Sequence, residues 1–200
     1  MQRPRPWVIV PGIWNSDPDH WQSRWQADRE AEDGRVVRIA PASWSHPDPE
    51  DWQAAITSAV ASLDPEDGPP VLVAHSLGVL AAAQWLSDHE SVARGLSRPG
   101  PTPLPVAGAL LVAPPDPEAE GFPPGAHGFT APTRPAAVDN VHLVVSDDDP
   151  YCSAARAVAF ATTLGATVHR FGAVQHVNVA SGVGAWSAGR ALLSTIDRPV

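Results

Sequence analysis

With 200 residues, 44% of them apolar and 18% charged, the chain is long enough to bury one sizeable core, and its composition excludes disorder. A formal net charge of −9 argues against a nucleic-acid partner, because phosphate binding needs a clustered basic face and only Arg3 and Arg5 stand close together. The single cysteine, Cys152, excludes an intrachain disulfide and fits a reducing cytoplasm, and the apolar runs 7–10 and 106–113 are too short for a signal core or a membrane span. The expectation is a soluble, cytoplasmic, monomeric protein with one domain over 1–200 and no membrane partner.

In chain order the pattern predicts a strand at Trp7–Val10, a helix at Asp19–Glu32, a strand at Val36–Ile39 and a helix at Glu50–Leu63. A strand at Val71–Ala74 and a helix at Val79–His89 follow, then strands at Val106–Val112 and Val141–Val145. A helix at Ser153–Leu164, a strand at Thr167–Phe171 and a helix at Trp186–Ile196 close the chain. Such alternation implies an α/β fold, a three-layer sandwich with about six mostly parallel strands between helices and no separate lid domain. Runs such as Val-Leu-Val-Ala are apolar at consecutive positions, as strands covered on both faces require. Two proline-rich stretches punctuate the order. Residues 97–105 run from helix into strand and read as a surface spacer, whereas 114–135 follow a strand and emerge at the carboxyl edge, where open α/β sheets bind ligands, so they are placed to roof a site.

Chemistry enters at Ala74-His75-Ser76-Leu77-Gly78, a five-residue turn between a buried strand and an alanine-rich helix. Its small residues two before and two after the serine are those of a nucleophile elbow, packing against each other, with alanine for the usual first glycine. The plain alternative is a helix-capping serine. A hydroxyl is a poor nucleophile without a base, and on this architecture the acid and then the histidine follow the serine in the chain. The strand at Val141–Val145 leads into Ser146-Asp147-Asp148-Asp149-Pro150, where Asp149 is chosen as the acid for its reach, Asp148 is the fallback and the remaining carboxylates shape the turn. His176, in the loop after the last strand, is the histidine in the right order; His20, His89, His142 and His169 fall in elements, His46 and His127 precede the acid, and His75 adjoins the serine.

The loop Pro11-Gly12-Ile13-Trp14-Asn15-Ser16 leaves the first strand beside the elbow. Gly12 permits a tight turn, and the N–H of Ile13 (or, second, of Trp14) is expected to join that of Leu77 as an oxyanion donor. Trp14, Asn15 and Trp44 are candidate substrate contacts; Asn15 and Ser16 could equally cap a helix beginning near Asp17. Trp21 and Trp25, four apart on one helix face, are expected to pack on the sheet.

With these stretches in place the chain resembles the retinoblastoma-binding-protein-9/YdeN family of small serine α/β hydrolases. The resemblance rests on Pro11-Gly12, Asp19-His20-Trp21-Gln22-Ser23-Arg24-Trp25, His75-Ser76-Leu77-Gly78, Asp148-Asp149-Pro150-Tyr151-Cys152, and His176-Val177-Asn178 with Ser181-Gly182 and Trp186. It covers nearly the whole chain. The resemblance implies a compact parallel sheet, an acid just before the proline (hence Asp149), and hydrolysis of small carboxylic esters or amides through a Ser76–His176–Asp149 triad. No metal and no organic cofactor is implied. The chain departs from the family at Ala74 and Gln175, where glycine is usual, at Ser187, where proline usually follows the tryptophan, and in the 97–105 spacer. Two rival readings use the same fold: a binding or regulatory protein with an idle triad, and an acyl transferase or peptidase.

Overall fold

The computed structural model describes residues 4–93 and 106–198. The expected spacer at 97–105 lies outside the described residues. Among the described residues six strands form one sheet in the order β2-β1-β3-β4-β5-β6, with β1 Trp7–Val10, β2 Val36–Arg38, β3 Val71–His75, β4 Gly108–Val112, β5 Val141–Val145 and β6 Thr167–Arg170. Every neighbouring pair is parallel, so the sheet is wholly parallel rather than mostly so.

Strand side chains alternate between two cores, which makes the three layers. Val8, Val10, Leu72, Ala74, Ala109, Leu111, Leu143 and Val145 face α2 (Pro49–Ala61), α3 (Leu77–Ala93) and α4 (Ala154–Leu164). Trp7, Ile9, Val71, Val73, Leu110, Val112 and Val144 face α1 (Trp21–Ala31) and α5 (Ser187–Ile196). Trp21 and Trp25 belong to this second core, as their spacing implies. No helix among the described residues is long and apolar enough to cross a membrane.

Helix starts differ from expectation, each for a local reason. α1 starts at Trp21, capped by His20, whose side chain accepts from the Gln22 N–H; Asn15 and Ser16 cap nothing. α3 begins at Leu77, directly off the serine, rather than at Val79. Trp186 precedes α5 in a left-handed conformation (φ 45°), its ring folded so closely over the first turn that only a glycine fits at 189.

Candidate active site

At the carboxyl edge, β3 passes into α3 through Ser76, a non-glycine residue at φ 54°. Such strain persists only where surroundings over-determine it. Here the Ser76 N–H donates to the Val112 carbonyl (3.0 Å) and the Ser76 carbonyl accepts from Val79 (2.8 Å). Gly78 is required because a Cβ there would lie 2.3 Å from the carbonyl oxygens of Val10 and Pro11. The tight constraint on this glycine is therefore the approach of α3 to the end of β1, more than packing against Ala74. A Cβ on Gly12 would meet the Ser76 Cβ at 2.9 Å, so this glycine is needed for closeness to the serine.

The structure brings Ser76, His176 and Asp149 together. His176 Nε2 is 2.8 Å from Ser76 Oγ, and its Nδ1 lies 3.0 and 2.9 Å from the two Asp149 carboxylate oxygens. Both the imidazole and the carboxylate are nearly buried, with 8% and 4% of their side chains exposed. Asp149 Oδ1 also accepts from the Tyr151 N–H, which fixes its plane. The other two aspartates have separate work. Asp148 accepts from the Gln175 N–H (2.7 Å) and the Ser146 hydroxyl (2.9 Å), and Asp147 pairs with Arg170.

The histidine loop is strained on both sides of its key residue, with Gln175 at φ 48° and Val177 at φ 50°. A left-handed residue explains why glycine suits position 175; in its absence the Asp148 carboxylate holds the conformation. Three further bonds pin the loop: Trp21 Nε1–H to the Val177 carbonyl (2.8 Å), Trp25 Nε1–H to the Ala185 carbonyl (2.7 Å), and His75 Nε2–H to the His176 carbonyl (2.9 Å). The last joins the residue before the serine to the histidine itself. Burial pushes the His75 pKa well below its ordinary value, with further lowering from His176 and His20, so it is a neutral donor. Burial, then Arg38 and His176, also lower His20, to about 4.

A cavity of about 900 Å³ opens over Ser76 and His176. Ile13 and Leu77 line it, and neither N–H takes part in a backbone hydrogen bond among the described residues. The Trp14 N–H, the second donor candidate, is already spent on the Trp44 carbonyl (2.8 Å). Trp14 and Asn15 line the cavity; Trp44 does not, because its ring packs edge-on against Trp52 in the layer below. Prolines of the 114–135 segment, Pro115, Pro123 and Pro124, form part of the wall. His20, His46 and His75 also line the wall, a convergence of which their positions in the chain carry no signal. No group of three or more His, Cys, Asp or Glu side chains among the described residues is placed to hold a metal.

A family model described as serine hydrolase matches residues 7–195. The chain belongs to the serine hydrolase family. Among solved structures it is similar to a protein described as a YdeN-like hydrolase from Pectobacterium atrosepticum, with 27% identity and a TM-score of 0.73 over 97% of this chain and 91% of that one. The ydeN gene product of B. subtilis shares the fold at 18% identity and a TM-score of 0.69, covering 97% and 100% of the two chains. Esterase 2 of Thermogutta terrifontis does so at 15% identity and 0.63, covering 100% and 87%. No curated protein matches the sequence. The YdeN-like resemblance and the hydrolase class read from the sequence thus stand.

Proposed function

We propose that the protein hydrolyses small carboxylic esters or amides through an acyl-enzyme on Ser76, with His176 as base, Asp149 as its orienting acid and the Ile13 and Leu77 N–H groups as oxyanion donors. The observation that carries this reading is the unbroken line Ser76 Oγ–His176 Nε2, His176 Nδ1–Asp149, with distances of 2.8 to 3.0 Å, at the floor of a substrate-sized cavity.

Asp149 accepts the Nδ1–H, which leaves Nε2 free to take the Ser76 proton as Oγ bonds to the substrate carbonyl carbon. The carbonyl oxygen becomes an oxyanion facing Ile13 and Leu77, and the amino end of α3 adds its dipole. On collapse, the bond to the leaving oxygen or nitrogen breaks and that atom takes the proton from Nε2. Water then gives a proton to His176 and its oxygen to the acyl carbon; the acid departs and Ser76 regains its hydrogen.

A fluorophosphonate probe tests this directly. Stoichiometric labelling of the wild type, abolished in Ser76→Ala together with a loss of up to ~10⁶ in turnover, is the expected result. Absence of labelling in folded wild-type protein would overturn it in favour of a binding protein with an idle triad.

A further inference from the structure

Among the described residues three large apolar side chains are exposed, Trp14 at 67%, Tyr151 at 40% and Val179 at 46%, and all three line the cavity over Ser76. Exposed apolar side chains scattered singly need no explanation, but their confinement to one mouth does. The backbone that carries Trp14 is fixed: the residue sits at φ 67° with its N–H bonded to the Trp44 carbonyl, which sets the direction in which the side chain leaves the loop. Tyr151 leans edge-on against the His176 ring, with centroids 4.5 Å apart. Pro115, Pro123 and Pro124 extend the apolar wall.

Charge in the cavity points the same way. Among the described residues the lining holds no arginine and one acidic residue, the exposed Asp17, and the chain has no lysine at all. Arg38 touches the lining residue Asn15, but its guanidinium donates to neutral oxygens: Asn15 Oδ1, the Ser16 carbonyl, Ser23 Oγ and Gln26 Oε1. A carboxylate entering the cavity would therefore lose water and meet no arginine or lysine among the described lining residues to bond it directly, in a protein of net charge −9. A volume of about 900 Å³ is also far more than an acetyl group fills.

We propose that the cavity takes uncharged esters or amides with an apolar portion much larger than acetyl, seated against Trp14, Tyr151 and Val179, and turns away substrates whose buried portion carries a carboxylate. This rests on the hydrolytic reading above and narrows its substrate class.

The test compares para-nitrophenyl esters of the wild type's candidate acids, after fluorophosphonate labelling has been scored on the same preparation. In kcat/KM, the hexanoate exceeds the hydrogen adipate, of equal carbon count, by ~100-fold, and phenylpropanoate exceeds acetate by at least ~10-fold. Trp14→Asn, a residue that tolerates the left-handed turn, lowers the phenylpropanoate-to-acetate ratio several-fold, and Asp17→Arg lowers the hexanoate-to-adipate ratio. Labelled wild-type protein that cleaves adipate as well as hexanoate, or acetate as well as phenylpropanoate, overturns the proposal and leaves the hydrolytic reading standing. Failure to label overturns both.

Discussion

Asp149 and Asp148 are adjacent and chemically identical, yet they face different partners, and this is the sharpest division of labour in the molecule. Asp149 holds the His176 Nδ1–H, while Asp148 accepts from the Gln175 N–H one residue earlier. Removing charge from the first changes which nitrogen carries the proton; removing the second loosens a left-handed residue. Asp149→Asn should lower kcat by ~10⁴ with the fold intact. Asp148→Ala should lower it only about 10-fold, because the histidine loop keeps its bonds from His75, Trp21 and Trp25. Steady-state rates with one neutral ester check both. Equal losses would mean that the two carboxylates share one role.

At the scale of elements, the loop between β1 and α1 is built by β2. Trp14 and Asn15 are left-handed at φ 67° and 68°, in succession, which costs on the order of 1 kcal/mol or more per residue. Arg38 of β2 offsets this with bonds of 2.8 Å to Asn15 Oδ1 and 3.3 Å to the Ser16 carbonyl, and it ties the same loop to Ser23 and Gln26 of α1. Burial lowers its pKa from the ordinary arginine value, and it remains a cation at neutral pH. Arg38→Met should therefore act on the Ile13 N–H that is proposed above as an oxyanion donor. The expected result is a 10- to 100-fold fall in kcat, KM within about threefold, and the same fractional loss in the rate of fluorophosphonate labelling. A folded variant with unchanged kcat would show that the loop holds itself. This strap was not legible in the sequence. An arginine at the end of a short edge strand looks like any surface cation, and Asn15 and Ser16 ahead of a helix look like caps, whereas His20 takes that place through its ring nitrogen.

For the whole molecule, order along the chain was readable because it follows from local pattern. Strands covered on both faces are apolar at consecutive positions, as residues 71–74, 109–112 and 143–145 are, with the half-buried His142 a polar exception inside β5. The convergence of Ser76, Asp149 and His176 was readable because parallel strands deliver their carboxyl-end loops to one edge. Bonds between distant residues were not. The reach of Trp21 to Val177 and of His75 to His176, across 156 and 101 positions, leaves no trace in spacing. Trp44 shows the same limit: its neighbours Ser45 and His46 line the cavity while its own ring is taken by Trp52.

Those buried long-range contacts include two neutral histidines packed together, His20 and His75, with ring centroids 4.7 Å apart, against Trp21 and His176 and within the field of Arg38. This gives stability a pH dependence of definite sign. An unfolded histidine titrates near 6.5, whereas folded His20 titrates near 4. Between these values the unfolded chain binds a proton that the folded chain refuses, so acid favours unfolding. The contribution is complete above about pH 6.5 and is lost as pH falls toward 4, on the order of 3 kcal/mol for His20. His75, also lowered, adds in the same direction. Asp197 works the other way: burial raises its pKa above 3.8, so its part in stability diminishes as pH rises through that region. His20→Asn separates these contributions, because an asparagine oxygen can cap α1 in place of Nδ1 without titrating. Urea unfolding at pH 7 and pH 5 should show a steeper loss for the wild type than for His20→Asn. Parallel losses in the two proteins would mean that His20 accepts its proton without leaving the fold.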